Sequence, residues 1–505
     1  MERLRHEIRS DAVTRKTPRN RESRIFDLEP GRNCWRVARA HRAALIVDGC
    51  DYFRLVRQAM LKAEKQIMLI GWDLDTRIQL DEPGGKGDPP NCLGPFVSWL
   101  VKHRPGLKIY MLAWSGMAYS VLGRGTTLVR MGVWRASRQI HFKLDYAHPT
   151  AGSHHQKIAV IDDALAFCGG IDITADRWDT REHLDDDPRR RRPTTRRPYP
   201  PWHDATMAVD GAAALALGEL ARLRWEAATE DRLPSVGVGH DSWPDELEPD
   251  FKDVDIAIAR TRAEHGRWSE VREIEALFAD LITSARRHVY IETQYFASRV
   301  VAEAMGRRLA EPDGPEFVVV NPKEGYGWLD ESIMGPARAE LVKALEGKDR
   351  YGRFQIYTPV TEGGEDIYVH AKIMVVDDVV IKVGSANINN RSMGLDSECD
   401  VMIDARLPGN EASGPAIKRL RADLIAEHLG ADPEDVASSC EKSGSLIATI
   451  ERLRGEGRTL VPYRPPEFSA PLKAVAKSEI LDPEHPGDAF EPRARHGLLS
   501  GFKRR

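Results

Sequence analysis

The chain has 505 residues, 42% of them hydrophobic and 30% charged, with 73 basic against 77 acidic side chains and a formal net charge of −4. That length suits two or more domains, or one large duplicated unit. The composition excludes a disordered chain, and the charge balance counts against a dedicated duplex-DNA binder, which is usually basic.

Residues 1–40 are polar and Arg-rich and read as a loose leader, without the apolar core of a secretory signal. From Asp51 to Asp75, DYFRLVRQAMLKAEKQIMLIGWDLD reads as a helix followed by a strand. Phe53, Val56 and Met60 recur at helical spacing, and Gln66–Ile70 is a short apolar run. SHHQKIAVIDDALAFCGGID follows at Ser153 to Asp172, two apolar strands around an Asp-Asp turn. DDDPRRRRPTTRRPYPPW, Asp185 to Trp202, carries too many prolines for a regular element; it reads as a solvated loop or as a clamp for anions. Residues 229–250 read as a linker.

The second half repeats the layout. EIEALFADLITSARRHVYIETQYFAS, Glu273 to Ser298, is again an amphipathic helix, a basic pair and a strand. YVHAKIMVVDDVVIKVGSAN, Tyr368 to Asn387, matches Ser153–Asp172 offset for offset. The paired strands start 222 residues apart and the paired histidines stand 215 apart, which marks a duplication. The expected division is a first lobe over 41–228 and a second over 251–410. Residues 411–505 are then a helical segment, with AIKRLRADLIAEHLG at Ala416–Gly430, and a Pro-rich tail. Cys34, Cys50, Cys92, Cys168, Cys399 and Cys440 form no CxxC pair and read as free thiols of a reducing compartment. No run approaches the ~20 apolar residues of a membrane span. The expectation is a cytoplasmic, monomeric protein that binds no more than peripherally to the inner face of a membrane.

The chemistry sits in the doubled stretch. His155, Lys157 and Asp162 fit H-x-K-x4-D, and His370, Lys372 and Asp377 fit it again. Side chains two apart on a strand share a face, so each His–Lys pair points one way; neighbouring His154 points the other way and reads as a local hydrogen-bonding residue. Each copy then reaches a small pair, Gly169–Gly170 or Gly384–Ser385, and a polar residue, Asp172 or Asn387. The small residues are expected to let backbone N–H groups approach an anion. Two imidazoles can divide a displacement, one attacking and one protonating the leaving group, while two lysines hold a strongly anionic reactant. A phosphodiester suits this set. No Asp/Glu/His cluster in the sequence has metal-ligand spacing, and no metal or other cofactor is expected.

The doubled H-x-K-x4-D, with G-G-x-D after the first copy and G-S-x-N after the second, resembles the phospholipase D superfamily. Gly170 to Asp172 followed by DRWDT at Asp176–Thr180, with ALIVDGCDYF and IYVHAKIMVVDD, is similar to its eukaryotic-type group. The resemblance covers about residues 42 to 405 and implies a duplicated α/β fold, two α/β/α sandwich lobes with one active site at the lobe interface. It implies a phosphohistidine at His155, with His370 as general acid and then base, and structural roles for Asp162 and Asp377. Glu398 matches a carboxylate that orients an active-site histidine, expected at His370. Asp179 is the candidate for the first half, with Glu182 behind it. ETQYF, Glu292 to Phe296, departs from the group's usual E-N-Q run, and the upstream lipid-binding modules of animal and fungal members are not expected here.

The implied activity is phospholipase D hydrolysis of the distal phosphodiester of phospholipids, with phosphatidyl transfer to alcohols. A cardiolipin-synthase-type transferase, a nuclease of the same superfamily and a non-catalytic anion-binding module are the rivals. Expected partners are a phospholipid and, transiently, a membrane surface, with no obligate nucleic acid. Trp202 and Trp328 read either as interfacial anchors or as ordinary packing.

Overall fold

The structure is a computed structural model that describes residues 26–81, 88–117, 124–237, 239–326, 328–468 and 482. In chain order its first half runs β1 (Arg36–Val47), α1 (Gly49–Lys62), β2 (Gln66–Gly71), α2 (Leu93–His103), β3 (Lys108–Trp114), α3 (Thr126–Arg135), β4 (Ile140–Asp145), β5 (Ile158–Ile161), β6 (Leu165–Gly169), β7 (Trp202–His203), β8 (Ala205–Asp210) and α4 (Gly211–Thr229). The second half runs β9 (Phe251–Arg262), β10 (Val271–Arg272), α5 (Glu273–Ser284), β11 (His288–Glu292), α6 (Arg299–Leu309), β12 (Glu316–Val320), α7 (Trp328–Glu346), β13 (Phe354–Val360), β14 (Tyr368–Val369), β15 (Ile373–Val376), β16 (Val380–Gly384), α8 (Asn390–Gly394), β17 (Glu398–Asp404) and α9 (Gly414–Leu429). Helices α10 (Pro433–Ser443) and α11 (Leu446–Leu453) and strand β18 (Thr459–Pro462) follow.

The strands state the duplication directly. Across one continuous sheet the first lobe is ordered β1-β8-β6-β5-β2-β3-β4 and the second β9-β17-β16-β15-β11-β12-β13, with β18 added at its edge. The lobes meet where β1 pairs antiparallel with β9, from Arg36 opposite Ile258 to Ala43 opposite Phe251. Strands buried on both faces read as unbroken apolar runs, and β5 (IAVI) and β15 (IMVV) do so. Helices α4 and α9 cover one face and share a single core across both lobes, including Leu217, Leu220, Ile417 and Ile425. On the other face α1 and α2 pack over the first lobe, and α5 and α6 over the second.

The motif aspartates explain how each lobe holds its strand pair. Asp162 and Asp163 have φ of 52° and 53°, and Asp377 and Asp378 have 53° and 59°. Two consecutive positive φ values make the type I′ hairpin turn, whose twist matches that of the flanking strands, and a short polar side chain tolerates the left-handed region. Asp162 then accepts hydrogen bonds from the backbone N–H groups of Glu64, Lys65 and Gln66 at 2.6–2.8 Å, and Asp377 from those of Arg286, Arg287 and His288 at 2.7–3.0 Å. Each carboxylate thus ties its hairpin to the helix-to-strand turn beside it. The second aspartates bind helices across the sheet, Asp163 to Arg222 on α4 at 2.5 Å and Asp378 to Arg421 on α9 at 2.6 Å.

Two segments read as loose are packed. β1 starts inside the expected leader, Cys34 is buried, and Phe26 and Leu28 lie against the second lobe's core. In the expected linker Trp243 is buried and its carbonyl accepts from Lys62 on α1. No helix among the described residues is long and apolar enough to cross a membrane.

Candidate active site

Both H-x-K segments sit at the entry to a strand, and each is held there by the opposite lobe. His155 N–H donates to the carbonyl of Ser397 at 3.0 Å, and His370 N–H donates to that of His203 at 2.7 Å. β14 pairs in parallel with β7, and a matching bridge joins His154 to Ser397. The residue after each accepting carbonyl is a carboxylate. Glu398 therefore reaches Nδ1 of His155 at 2.9 Å, and Asp204 reaches Nδ1 of His370 at 2.6 Å. Each histidine is oriented by a carboxylate from the other lobe.

This corrects two expectations. Glu398 stands on His155, not His370, because the backbone bridge places the end of the second lobe beside the first motif. Asp179 touches neither catalytic candidate: it accepts from His183 Nδ1, Arg190 and the Trp202 N–H. Asp204 is the residue that sequence reasoning missed. A signal was present, since Asp204 and Asp210 bracket β8 as Glu398 and Asp404 bracket β17, each pair six residues apart. The 194-residue spacing from Asp204 to Glu398 hid it, shortened from 215 by the Arg-Pro insertion.

The small pairs also have another use. Gly170 N–H donates to Ala205 O at 2.8 Å and Ser385 N–H to Cys399 O at 3.0 Å, so neither is left for an anion. A Cβ on Gly170 would lie 2.0 Å from Asp204 Oδ1, so glycine is there to admit the carboxylate. At the equivalent position the Ser385 hydroxyl donates to Glu398 at 2.5 Å, and Ser392 donates to its other oxygen at 2.7 Å.

Both histidines and Lys157 open onto one cleft of about 500 Å³ between the lobes. Lys157 Nζ lies 3.2 Å from Asp172 and donates to the His155 carbonyl at 3.0 Å. Lys372 faces amides instead: it donates to Gln294 Oε1 at 3.2 Å and to the His370 carbonyl, and the Asn387 amide also reaches Gln294. Trp72 and Trp114 stack with centroids 5.5 Å apart on one wall, and Trp202 stacks on Tyr368 at 4.6 Å on another. Arg177 lines the cleft with its guanidinium over Trp202. Trp202 is buried and packs within 5.1 Å of His370, which excludes it as a bilayer anchor; the side chain of Trp328 lies outside the described residues.

Burial and the crowd of cations set the protonation states. Burial, then Lys157 and Lys372, push His155 well below the usual imidazole range; burial, then Lys372 and Arg177, do the same to His370. Burial lowers Lys372 to about 7 and raises Asp204 to about 6. Burial raises Glu398 to about 8, against the pull of the Ser385 and Ser392 hydroxyls. An incoming phosphodiester anion offsets the lysines and lets one imidazole hold a proton.

Around the site, His154 donates to or accepts from Ser397 Oγ at 2.8 Å, the local role its position suggested. The Arg-rich loop is folded back rather than solvated throughout: Arg190 is buried on Asp179, and Arg192 bonds Asp176, while Arg197 stays exposed. The expectation of no metal-type cluster fails on geometry. Asp48, His183, His203 and Glu427 come together, fully buried, from four distant parts of the sequence.

A two-lobed α/β sandwich with a paired His–Lys cleft at its seam defines a class, and the comparisons name it. The family profile described as Phospholipase D matches residues 358–452. Phospholipase D A of Dictyostelium discoideum is 24% identical over 77% of this chain and 36% of its own length; phospholipase D zeta 2 of Arabidopsis thaliana is 23% identical over 77% and 53%. The chain thus spans about a third to a half of these relatives. A crystal structure of phosphatidylserine synthase from Haemophilus influenzae Rd KW20 shares the fold, with TM-score 0.51 and 13% identity over 82% of this chain and 94% of that one. Over residues 358–452 the chain matches the phospholipase D family, and over 77% of its length it is similar to curated phospholipases D.

Proposed function

We propose that this chain is a phospholipase D-type phosphodiesterase, cleaving the distal phosphodiester of a phospholipid through a phosphohistidine. The observation that carries this reading is the pair of cross-lobe contacts, His155 on Glu398 and His370 on Asp204, opening onto one cleft with the lysines beside them. With each Nδ1 turned to a carboxylate, each Nε2 is left for the substrate. His155 Nε2 forms the bond to phosphorus as the bond to the head-group oxygen breaks. His370 gives that oxygen its proton. Water then enters, His370 takes its proton, and the P–N bond breaks to release phosphatidic acid. His155 suits the attacking role because its side chain is 16% exposed, against 5% for the more enclosed His370. A cleft of about 500 Å³ has room for a head group and glycerol phosphate.

The test is a substrate panel on the purified chain: vesicles of phosphatidylcholine, phosphatidylethanolamine or phosphatidylglycerol beside supercoiled plasmid, with products resolved by mass. Phosphatidic acid and free alcohol are expected. Plasmid nicking without lipid turnover would replace this reading with a nuclease, and cardiolipin as the main product from phosphatidylglycerol would replace it with a transferase.

A further inference from the structure

We infer that Asp48, His183, His203 and Glu427 form a closed tetrahedral site for a structural divalent cation, with Zn2+ the best match. His183 Nε2 lies 3.5 Å from Asp48 Oδ2 and 3.2 Å from Glu427 Oε1. His203 Nδ1 lies 2.9 Å from Glu427 Oε1 and 3.3 Å from Asp48 Oδ1. A tetrahedral ion with bonds of about 2.0–2.1 Å needs ligand atoms about 3.3–3.4 Å apart. With Oδ2, the unpartnered oxygen, as the Asp48 ligand, the separations of 3.5, 3.2 and 2.9 Å straddle that value.

The surroundings match a metal site in three further ways. Asp48 Oδ2 and His203 Nδ1 are fully buried and have no hydrogen-bond partner, and both face the centre of the cluster. Each imidazole places its remaining nitrogen on a carboxylate: His183 Nδ1 on Asp179 at 3.0 Å and His203 Nε2 on Glu292 at 2.8 Å. That outer contact fixes the tautomer and presents the other nitrogen's lone pair, as at most metal-bound histidines. Charge agrees as well. Asp48, Glu427, Asp179 and Glu292 are four buried carboxylates, and two guanidiniums touch them, Arg190 on Asp179 and Arg181 on Glu427. With both imidazoles neutral, as metal ligands must be, two negative charges are left, the number one divalent cation supplies. Two ligands also sit on strained backbone, Asp48 at φ 66° and His183 at φ 44°.

The site would be structural, because the protein fills every position and no lining residue of the catalytic cleft belongs to it. It ties the end of β1, the segment just before the Arg-rich loop and β7 to α9. His203 is the residue whose carbonyl holds His370 N–H, and Asp204 follows it. The ion would fix the strand that orients His370 without touching substrate.

Metal content of the purified full-length chain, together with its cobalt spectrum, tests this. About one zinc per chain is expected by elemental analysis after dialysis. Removal with a chelator in mild denaturant, then return of Zn2+, should lower and restore the melting temperature by several degrees. Co2+ in place of Zn2+ should give the intense visible bands of tetrahedral coordination, lost in His183→Gln and Asp48→Asn. A chain that holds no zinc and gains neither stability nor tetrahedral bands from added Zn2+ or Co2+ overturns the site. So does equal metal retention in both variants while they remain folded. If neither variant folds, the cobalt spectrum of the parent chain decides alone: tetrahedral bands support the site, octahedral or absent ones overturn it. None of these readouts depends on lipid turnover.

Discussion

The two halves of the cleft are built to one plan and end with different charge. In the first, Lys157 has a carboxylate beside it, Asp172. In the second, the equivalent residue is Asn387, and Lys372 meets only uncharged acceptors, Gln294 and a carbonyl. The orienting acids differ too: glycine makes room for the short Asp204, and two hydroxyls brace the longer Glu398. Duplication supplied the frame, and a substitution at a matched position left one lysine paired with a carboxylate and the other with amide and carbonyl oxygens.

The largest effects should come from the histidines. His155→Ala is expected to abolish turnover and covalent labelling by a phosphodiester. His370→Ala should lower turnover by about 10²–10⁴-fold yet keep labelling when the leaving group is a nitrophenol that needs no proton. Labelling that survives the first change and vanishes with the second would exchange the roles of the lobes.

The orienting carboxylates should follow, each losing on the order of 10²–10³-fold as its imidazole loses a fixed tautomer. The losses should be unlike in kind. Asp204→Asn acts through the acid, so its cost should shrink with a nitrophenol leaving group. Glu398→Gln acts through the nucleophile, so its cost should persist. Equal dependence on the leaving group in both variants would break the assignment.

A smaller effect distinguishes the lysines by pH. Burial lowers Lys372 to about 7; Asp204 and Glu398 oppose that shift, while Lys157 and Arg177 add to it. Lys372 is therefore charged below about 7 and neutral above, and kcat/KM should fall, to about a tenth per pH unit, as pH rises through that value. Lys372→Arg keeps the charge and should move the alkaline limb upward. If the limb stays in place, Lys372 is not the group that sets it. The smallest change in substrate consumption should come with ethanol, which competes with water for the phosphohistidine. Phosphatidylethanol should grow at the expense of phosphatidic acid, while phosphatidic acid as the sole product across a wide alcohol range would argue for direct attack by water.

Much of this was legible in the sequence because it is local. The H-x-K pairs, the Asp-Asp turns and the 215-residue echo lie within short stretches, and their side-chain types limit what they can do. What the sequence concealed is what crosses the seam. Glu398 was visible through the resemblance as an orienting carboxylate, but its partner depends on a bridge between His154 and Ser397 that no periodicity announces. Asp204 was obscured because the insertion changed its spacing and because Asp179, in DRWDT just before that insertion, is the more conspicuous acid. The cluster at Asp48, His183, His203 and Glu427 draws one residue from each of four separate segments, so no spacing rule could find it.

The exchange of carboxylates between lobes has a consequence in time as well as space. A chain leaving the ribosome carries His155 long before Glu398, the acid held against its Nδ1, is made. For nearly half of its synthesis such a chain holds an imidazole without direction. Under the proposed mechanism the first lobe has neither an aimed nucleophile nor a general acid until the second lobe has folded against it.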